Sequence, residues 1–440
     1  MNSQLAKSSV VAALGGLLFG FDTVVIAGVT GPLRAQYSLN ADAVGITVAA
    51  AILGTVLGAM FAGIPGDRYG RRGGLRITAV LYLVSALGCA FAFGWSSFVA
   101  VRLLGGLGIG ASSVLGPMYI AEIAPARLRG RLVGFFQFNI VFGILLAYLS
   151  NYLIGTMGFG DAEWRWKVGV AALPAALFLL LLFTIPESPR WLAKRGRPAE
   201  AEEVLRNLGD SNYRQDLADI LASVEEKHGT GSEALFSRKY RVPILLAVSL
   251  AAFNQFSGIN AILYYANDIF AKAGFTKVSA DLQTVAIGAT NFLFTIVAMT
   301  VIDRIGRKKL LLIGAVGMAV ALAGVAAIFL AGTHQDLLVW CLVGFIAFFA
   351  FSQGAVIWVY LSEIFPTRVR AKGQSLGSLT HWVVNAAIAQ TFPRLAERSG
   401  GVPFVFFAAM MVVQFFVVLA FYPETKGYSL EEMQRKLGIS

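Results

Sequence analysis

Charge is what this 440-residue sequence has least of. Asp, Glu, Lys and Arg together make up 14% of it, against about 25% in an ordinary soluble domain. A chain this poor in charge cannot dress a water-facing surface of its own size. Cysteine is nearly absent too. Cys89 and Cys341 are the only two; they fall in apolar runs of opposite halves, which excludes a disulfide framework and leaves free, packing thiols. Histidine occurs three times, and no acid, Cys or His falls at metal-ligand spacing. No strand-preceded glycine loop offers a nucleotide site. No metal, cofactor or ATP is therefore expected, and any work the protein does should draw on a gradient.

In place of charge there are long apolar runs. Hydrophobic residues are 57% of the chain and the mean hydropathy is +0.69. Twelve runs long enough to cross a bilayer lie at 8–29, 44–66, 75–93, 97–121, 131–155, 165–185, 243–270, 280–302, 309–330, 337–365, 373–394 and 402–423; these are spans 1 to 12. The first is too long, and lacks the cleavage pattern, to be a removable signal peptide. The fold class read from this pattern is an all-α polytopic membrane protein. The net charge of +11 does not point to nucleic acid, because the basic residues crowd alternate loops: GDRYGRRGGLR (66–76), RLRGR (127–131), DRIGRKK (303–309) and RVRAK (368–372). By the positive-inside rule both termini and the even-numbered connections are cytoplasmic.

Three unlike motifs recur in one order at nearly one offset. GDRYGRR from Gly66 returns as IDRIGRK from Ile302, YIAEIAPARLRG from Tyr119 as YLSEIFPTRVRAKG from Tyr360, and IPESPR from Ile185 as YPETKG from Tyr422. Such self-similarity is the mark of duplication. The expected organisation is a six-helix bundle over 1–190, a linker over 191–241, a second six-helix bundle over 242–425 and a short cytoplasmic tail over 426–440. In the linker, Pro198 suits a first helical turn and Gly209 a stop. Leu217, Ile220, Leu221 and Val224 repeat at helical spacing, so the linker should hold short amphipathic helices packed on the cytoplasmic ends of the bundles.

Two groups of polar residues stand inside the apolar runs. Asp22, in GLLFGFDTVVIAG, puts an acid where an ionised carboxylate costs about 2.5–3.5 kcal/mol. The only comparably deep basic residue of the first half is Arg102. Intramembrane charges usually face the bundle interior and pair, so the two are expected to form an ion pair whose making and breaking links proton binding to conformation. The second group is neutral. Asn254, Gln255, Asn260 and Tyr264 lie in span 7, where Gly258 invites a break; Gly354 and Trp358 lie in span 10, His381, Trp382 and Asn385 in span 11, Asn291 in span 8 and Gln137 in span 5. Amides both donate and accept, as sugar hydroxyls do, and aromatic rings offer flat faces to sugar C–H surfaces. At the cytoplasmic ends, Asp67, Arg71, Glu122 and Arg129, and their counterparts Asp303, Arg307, Glu363 and Arg370, carry the charges for a latch in each bundle.

These motifs, with PMYIAEIAPARLRGR, IPESPRWL, NQFSGINAILYY, WVYLSEIFP and YPETKG, resemble the sugar porter family of the major facilitator superfamily, from Gly15 to Glu432. The resemblance implies two duplicated bundles and monosaccharide transport by alternating access, without a cofactor. It also implies sugar contacts at Gln137, Gln255, Asn260, Asn291 and Trp358. Asp22 matches the acid of the proton symporters, and Arg102 its partner. The partners expected are a hexose or pentose, protons and the lipid bilayer, with a single copy of the chain sufficient and a bacterial plasma membrane as its place. Three positions depart from the family: Asn254-Gln255 where many members have two glutamines, Gly354-Ala355 where Gly-Pro is common, and His381 where the xylose symporters have Gln.

Other readings compete. A proton-independent sugar facilitator is the alternative. GGLGIG (105–110) resembles a phosphate loop, but inside a span Gly106 and Gly110 read as close helix packing. GQSLG (373–377), with Ser375 and nearby His381, matches a serine nucleophile pattern and makes an intramembrane protease the reading from another class; it lacks the strand-to-helix context of that motif. A sugar sensor would need a longer tail than the one after Lys426.

Overall fold

The structure is a computed structural model that describes residues 2–209, 213–226, 234–366, 368–428 and 430–439. Among them every regular element is an α- or 3-10 helix. Eleven helical stretches are long and apolar enough to cross a membrane, and they coincide with eleven of the twelve expected spans. The twelfth, span 11, forms as the helix Arg370–Arg398. It has the length, but Gln374, Thr380, His381, Asn385 and Gln390 dilute its apolar character. The span that carries part of the candidate site is thus less apolar than the other eleven, and it still forms where the run 373–394 places it.

Two compact units divide the chain: residues 1–25, 50–150 and 159–231 form the first, and 26–49, 151–158 and 232–440 the second. In the first, span 1 is Ser3–Val24, started by the Asn2 side chain, which accepts the Gln4 amide. Spans 2 and 4 touch through glycine. A Cβ on Gly106 would lie 2.0 Å from the Ala51 carbonyl oxygen, and one on Gly110 2.1 Å from that of Thr55. Side chains there would drive the two helices apart, so GGLGIG is a packing surface. Leu115, Tyr119, Ile120 and Phe178 lie at the heart of this unit's core.

The linker helices Pro189–Lys194, Pro198–Asn207 and Tyr213–Glu226 belong to the same unit. Pro198 opens its helix, and Gly209 (φ 75°) follows the stop. Leu217, Ile220 and Leu221 pack against Leu192, Ala193 and Ala201; the side chain of Val224 lies outside the described residues. Val204 and Leu208 join the unit's main core, and the Trp191 indole donates to the Asp67 carbonyl at 2.9 Å. The amphipathic faces therefore bury on each other and on the end of the bundle.

In the second unit two spans are discontinuous. Span 7 is Arg241–Phe256 followed by Ile259–Tyr264, with Gly258 at φ 81° between them, a left-handed conformation that favours glycine. Span 10 is Leu338–Phe351 followed by Gln353–Glu363, broken at Ser352 and not at the Gly354-Ala355 pair that the sequence draws attention to. Cys89 and Cys341 are both free.

Candidate functional site

The last turn of the helix Ser3–Val24 of span 1 carries Asp22, and an early turn of the span 4 helix Trp95–Ile123 carries Arg102. The guanidinium Nη1 donates to Asp22 Oδ1 at 3.0 Å and to the Asp22 carbonyl oxygen at 3.3 Å, a bond that Nη2 shares. Arg102 is 2% exposed and Asp22 7%. Burial removes the water that would otherwise screen both charges, so the pair holds by mutual attraction and by the carbonyl. The pairing is one-sided. Asp22 Oδ2 has no hydrogen-bond partner among the described residues; a Cβ on the neighbouring Gly105 would lie 3.4 Å from it and 2.4 Å from Ser85 Oγ, so only glycine fits there.

The second unit gathers uncharged polar side chains inside its bundle. It builds a neutral cluster from the two broken spans and span 11. The Gln255 amide nitrogen donates to Asn254 Oδ1 at 3.0 Å and meets the His381 ring nitrogens at 3.1 and 3.2 Å; its oxygen accepts from Asn260 Nδ2 at 2.9 Å. His381 lies between two indoles, its ring centroid 5.3 Å from that of Trp358 and 5.0 Å from that of Trp382. Asn385 Nδ2 donates to the Tyr264 hydroxyl at 3.0 Å, while its Oδ1 has no partner among the described residues. Asn254, Gln255, Tyr264, His381 and Asn385 are buried, whereas Trp358 is 37% exposed. The break at Gly258 turns the short helix so that Asn260 reaches back to Gln255. Asn291 is buried on span 8 of the same unit, and Gly354 lies one turn before Trp358. Gln137, half-buried on span 5, belongs to the first unit.

At one end of each unit an arginine gathers two acids. Arg71 bonds Asp67 at 2.9 Å and Glu122 through Nε at 3.0 Å and Nη2 at 3.1 Å. Arg307 bonds Asp303 at 2.9 Å and Glu363 through Nη2 at 2.8 Å and Nε at 3.2 Å. The cation on Glu122 is Arg71 and not Arg129, which donates to the Ala121 carbonyl at 3.0 Å. Arg370 correspondingly donates to the Phe365 carbonyl at 3.3 Å. The acid and the later arginine of each echoed motif sit on either side of a helix break, and a backbone carbonyl just before or within that break, of Ala121 or Phe365, accepts from the guanidinium.

Sequence reasoning missed two members of each network. Glu187 Oε1 accepts the backbone amides of Arg72 at 3.0 Å and Ser188 at 2.8 Å. Glu424 does the same for Arg307 at 2.9 Å and Thr425 at 3.0 Å. Ser188 and Thr425 then donate to Glu122 and Glu363. The signal lies in the echo of IPESPR by YPETKG, which places Glu187 with Ser188 and Glu424 with Thr425 at matching positions.

GQSLG has no nucleophile geometry. Ser375 stands within a helix with its hydroxyl on the Ala371 carbonyl at 2.8 Å, and His381 is engaged by Gln255.

Comparison with known proteins identifies the family. The family model described as Sugar (and other) transporter matches residues 8–437. The D-xylose-proton symporter of Escherichia coli K12 is 38% identical, over 99% of this chain and 97% of that protein. The glucose facilitated diffusion protein of Zymomonas mobilis is 37% identical, over 98% and 97%. The inward open conformation of the xylose transporter XylE from E. coli superposes with a TM-score of 0.88 at 36% identity, over 98% of this chain and 99% of that one. The chain is therefore a membrane transporter with the major facilitator fold, not an enzyme, and it belongs to the sugar transporter family.

Proposed function

We propose that the protein takes up a monosaccharide together with a proton by alternating access, with Asp22 as the proton-carrying acid and Arg102 as its counter-charge. The observation that carries this reading is the buried, one-sided Asp22–Arg102 pair. When the pair is intact, the guanidinium stabilises the carboxylate. When a conformational change draws Arg102 away, an isolated carboxylate in low dielectric is favoured as the neutral acid, so a proton enters or leaves as the pair opens or closes. That linkage is sufficient to couple a proton gradient to sugar movement.

The sugar's hydroxyls would meet Gln255, Asn260, Asn291, Asn254 and Asn385, each able to donate and accept, while Trp358, Trp382 and Tyr264 supply apolar faces beside the ring. His381 would act as a neutral partner, and Gln137 would contribute from the first unit. Gly354 would let the short helix carrying Trp358 pack closely. The networks at Asp67, Arg71 and Glu122 and at Asp303, Arg307 and Glu363, with Arg129 and Arg370 beside them, would latch the cytoplasmic ends. The names of the xylose symporter and of the glucose protein support a hexose or pentose. Both termini would lie in the cytoplasm, in a bacterial inner membrane, and one copy of the chain would suffice.

The second reading is facilitated diffusion, favoured by the name of the Zymomonas relative. Uptake of labelled xylose and glucose into proteoliposomes separates the two. Accumulation above the outside concentration under an inward proton gradient is expected; equilibration indifferent to the gradient would favour the facilitator.

A further inference from the structure

Span 10 is pinned at its break by groups to which neither the site nor the latch assigns a role. Ser352, at φ −117° and ψ −88°, separates the outer piece from Gln353–Glu363. Its amide reaches the Phe349 carbonyl at 3.1 Å, and its hydroxyl the Phe348 carbonyl at 2.6 Å. On one side the serine fills the space left by Gly314 of span 9, where a Cβ would lie 1.8 Å from Ser352 Oγ. On the other side Gln353, the first residue of the short helix, donates to Gln414 Oε1 of span 12 at 2.6 Å and to the Met411 sulfur at 3.4 Å. Gln353 and Gln414 are fully buried, and Gln353 Oε1 and Gln414 Nε2 have no partner among the described residues.

Two buried amides facing one another inside an apolar helix contact cost desolvation, which their hydrogen bond offsets only in part. What that bond does here is fix a position. The helix Gln353–Glu363 has Gln353 at one end, Trp358 in the middle against His381, and Glu363 at the other end on Arg307. The family's proline, which would stiffen the start of this helix, is replaced by Ala355.

We propose that the Gln353–Gln414 amide pair anchors this half-helix and so preorganises Trp358 for sugar capture, making Gln353 and Gln414 positioning residues for transport. The inference rests on the reading of Gln255, His381 and Trp358 as the sugar site. With the anchor cut, the half-helix gains freedom that must be lost again when Trp358 closes on the ring, and sugar affinity falls.

The test is a double-mutant cycle on the full-length chain in detergent, with xylose and glucose affinity and thermal midpoint both recorded. Gln353→Leu is expected to weaken binding about 3- to 18-fold, the range given by interhelical bonds of about 0.6–1.7 kcal/mol in membrane proteins. Gln414→Leu should do the same. The double variant Gln353→Leu/Gln414→Leu leaves no buried amide unpaired, so it should fold with a midpoint near that of the wild type yet show the same loss. In a Trp358→Ala background Gln353→Leu should add nothing. Unchanged affinity with only a lowered midpoint, or an equal loss in both Trp358 backgrounds, would overturn the proposal. If Gln255→Ala and Trp358→Ala leave affinity unchanged, the sugar-site reading falls and the anchor with it; if they impair binding while Gln353→Leu does not, the anchor alone falls.

Discussion

The two units are alike at one end and unlike in the middle. Each closes one end with an arginine between two acids, braced by a glutamate that accepts backbone amides and by a hydroxyl residue: Arg71, Asp67, Glu122, Glu187 and Ser188 in one, and Arg307, Asp303, Glu363, Glu424 and Thr425 in the other. Inside the bundles they differ: the first unit buries a full ion pair, Asp22–Arg102, and the second buries amides and aromatic rings. After duplication the end network was kept, because it ties helix termini together whatever the cargo. The interiors differ in the chemistry they offer, and on the proposed reading that difference separates proton coupling from sugar binding.

The comparison breaks most severely if one charge of the first interior is removed. Arg102→Leu leaves Asp22 buried without its counter-charge and is expected to cost about 3–5 kcal/mol. That would appear as a large fall in the thermal midpoint, and Arg102→Leu/Asp22→Asn should recover part of it. A single variant as stable as the wild type would mean that the pair is hydrated and not buried.

In the second interior the expected effect is smaller and falls on affinity. Gln255→Ala removes the amide that joins Asn254, Asn260 and His381. Sugar affinity should drop about 5- to 30-fold, the range for one to two hydrogen bonds of about 1 kcal/mol each, with proton coupling intact in whatever transport remains. Isothermal titration and gradient-driven uptake on the same preparation check both halves of that statement.

The smallest contrast lies between the two end networks. The Glu122 side chain is 8% exposed and that of Glu363 25%. Glu122→Gln should therefore destabilise by about 1.5–3 kcal/mol, as for a hydrogen bond to a charged group, and Glu363→Gln by visibly less because solvent screens it. Equal shifts in midpoint would show that exposure does not grade the two latches.

Much of this was legible in the sequence for physical reasons. A bilayer demands long apolar helices, so all twelve spans are legible as apolar runs, and a charge inside such a run has few places to find a partner, so Asp22 and Arg102 point to each other. Gly258 marks its own break because few other residues adopt its φ. Other features depend on three-dimensional competition that spacing does not encode. Arg71 and Arg129 are both basic residues of the first bundle's motifs, and only the fold decides that Arg71 reaches Glu122 while Arg129 bonds the Ala121 carbonyl. The break in span 10 falls at Ser352 because Gly314, on another helix, makes room for it. Glu187 and Glu424 work by accepting backbone amides, and a backbone amide leaves no trace in residue identity.

The division of labour between the interiors is tested most directly at Asp22. Wild-type and Asp22→Asn proteins would be placed in liposomes holding a trapped pH-sensitive dye, and proton entry would be followed on adding sugar, with sugar counterflow measured in parallel. The account predicts that sugar drives protons inward in the wild type only, while the variant, its site in the second unit untouched, still exchanges sugar by counterflow. Sugar-driven proton entry that persists in Asp22→Asn would contradict it and leave Asp22 as no more than a structural partner of Arg102.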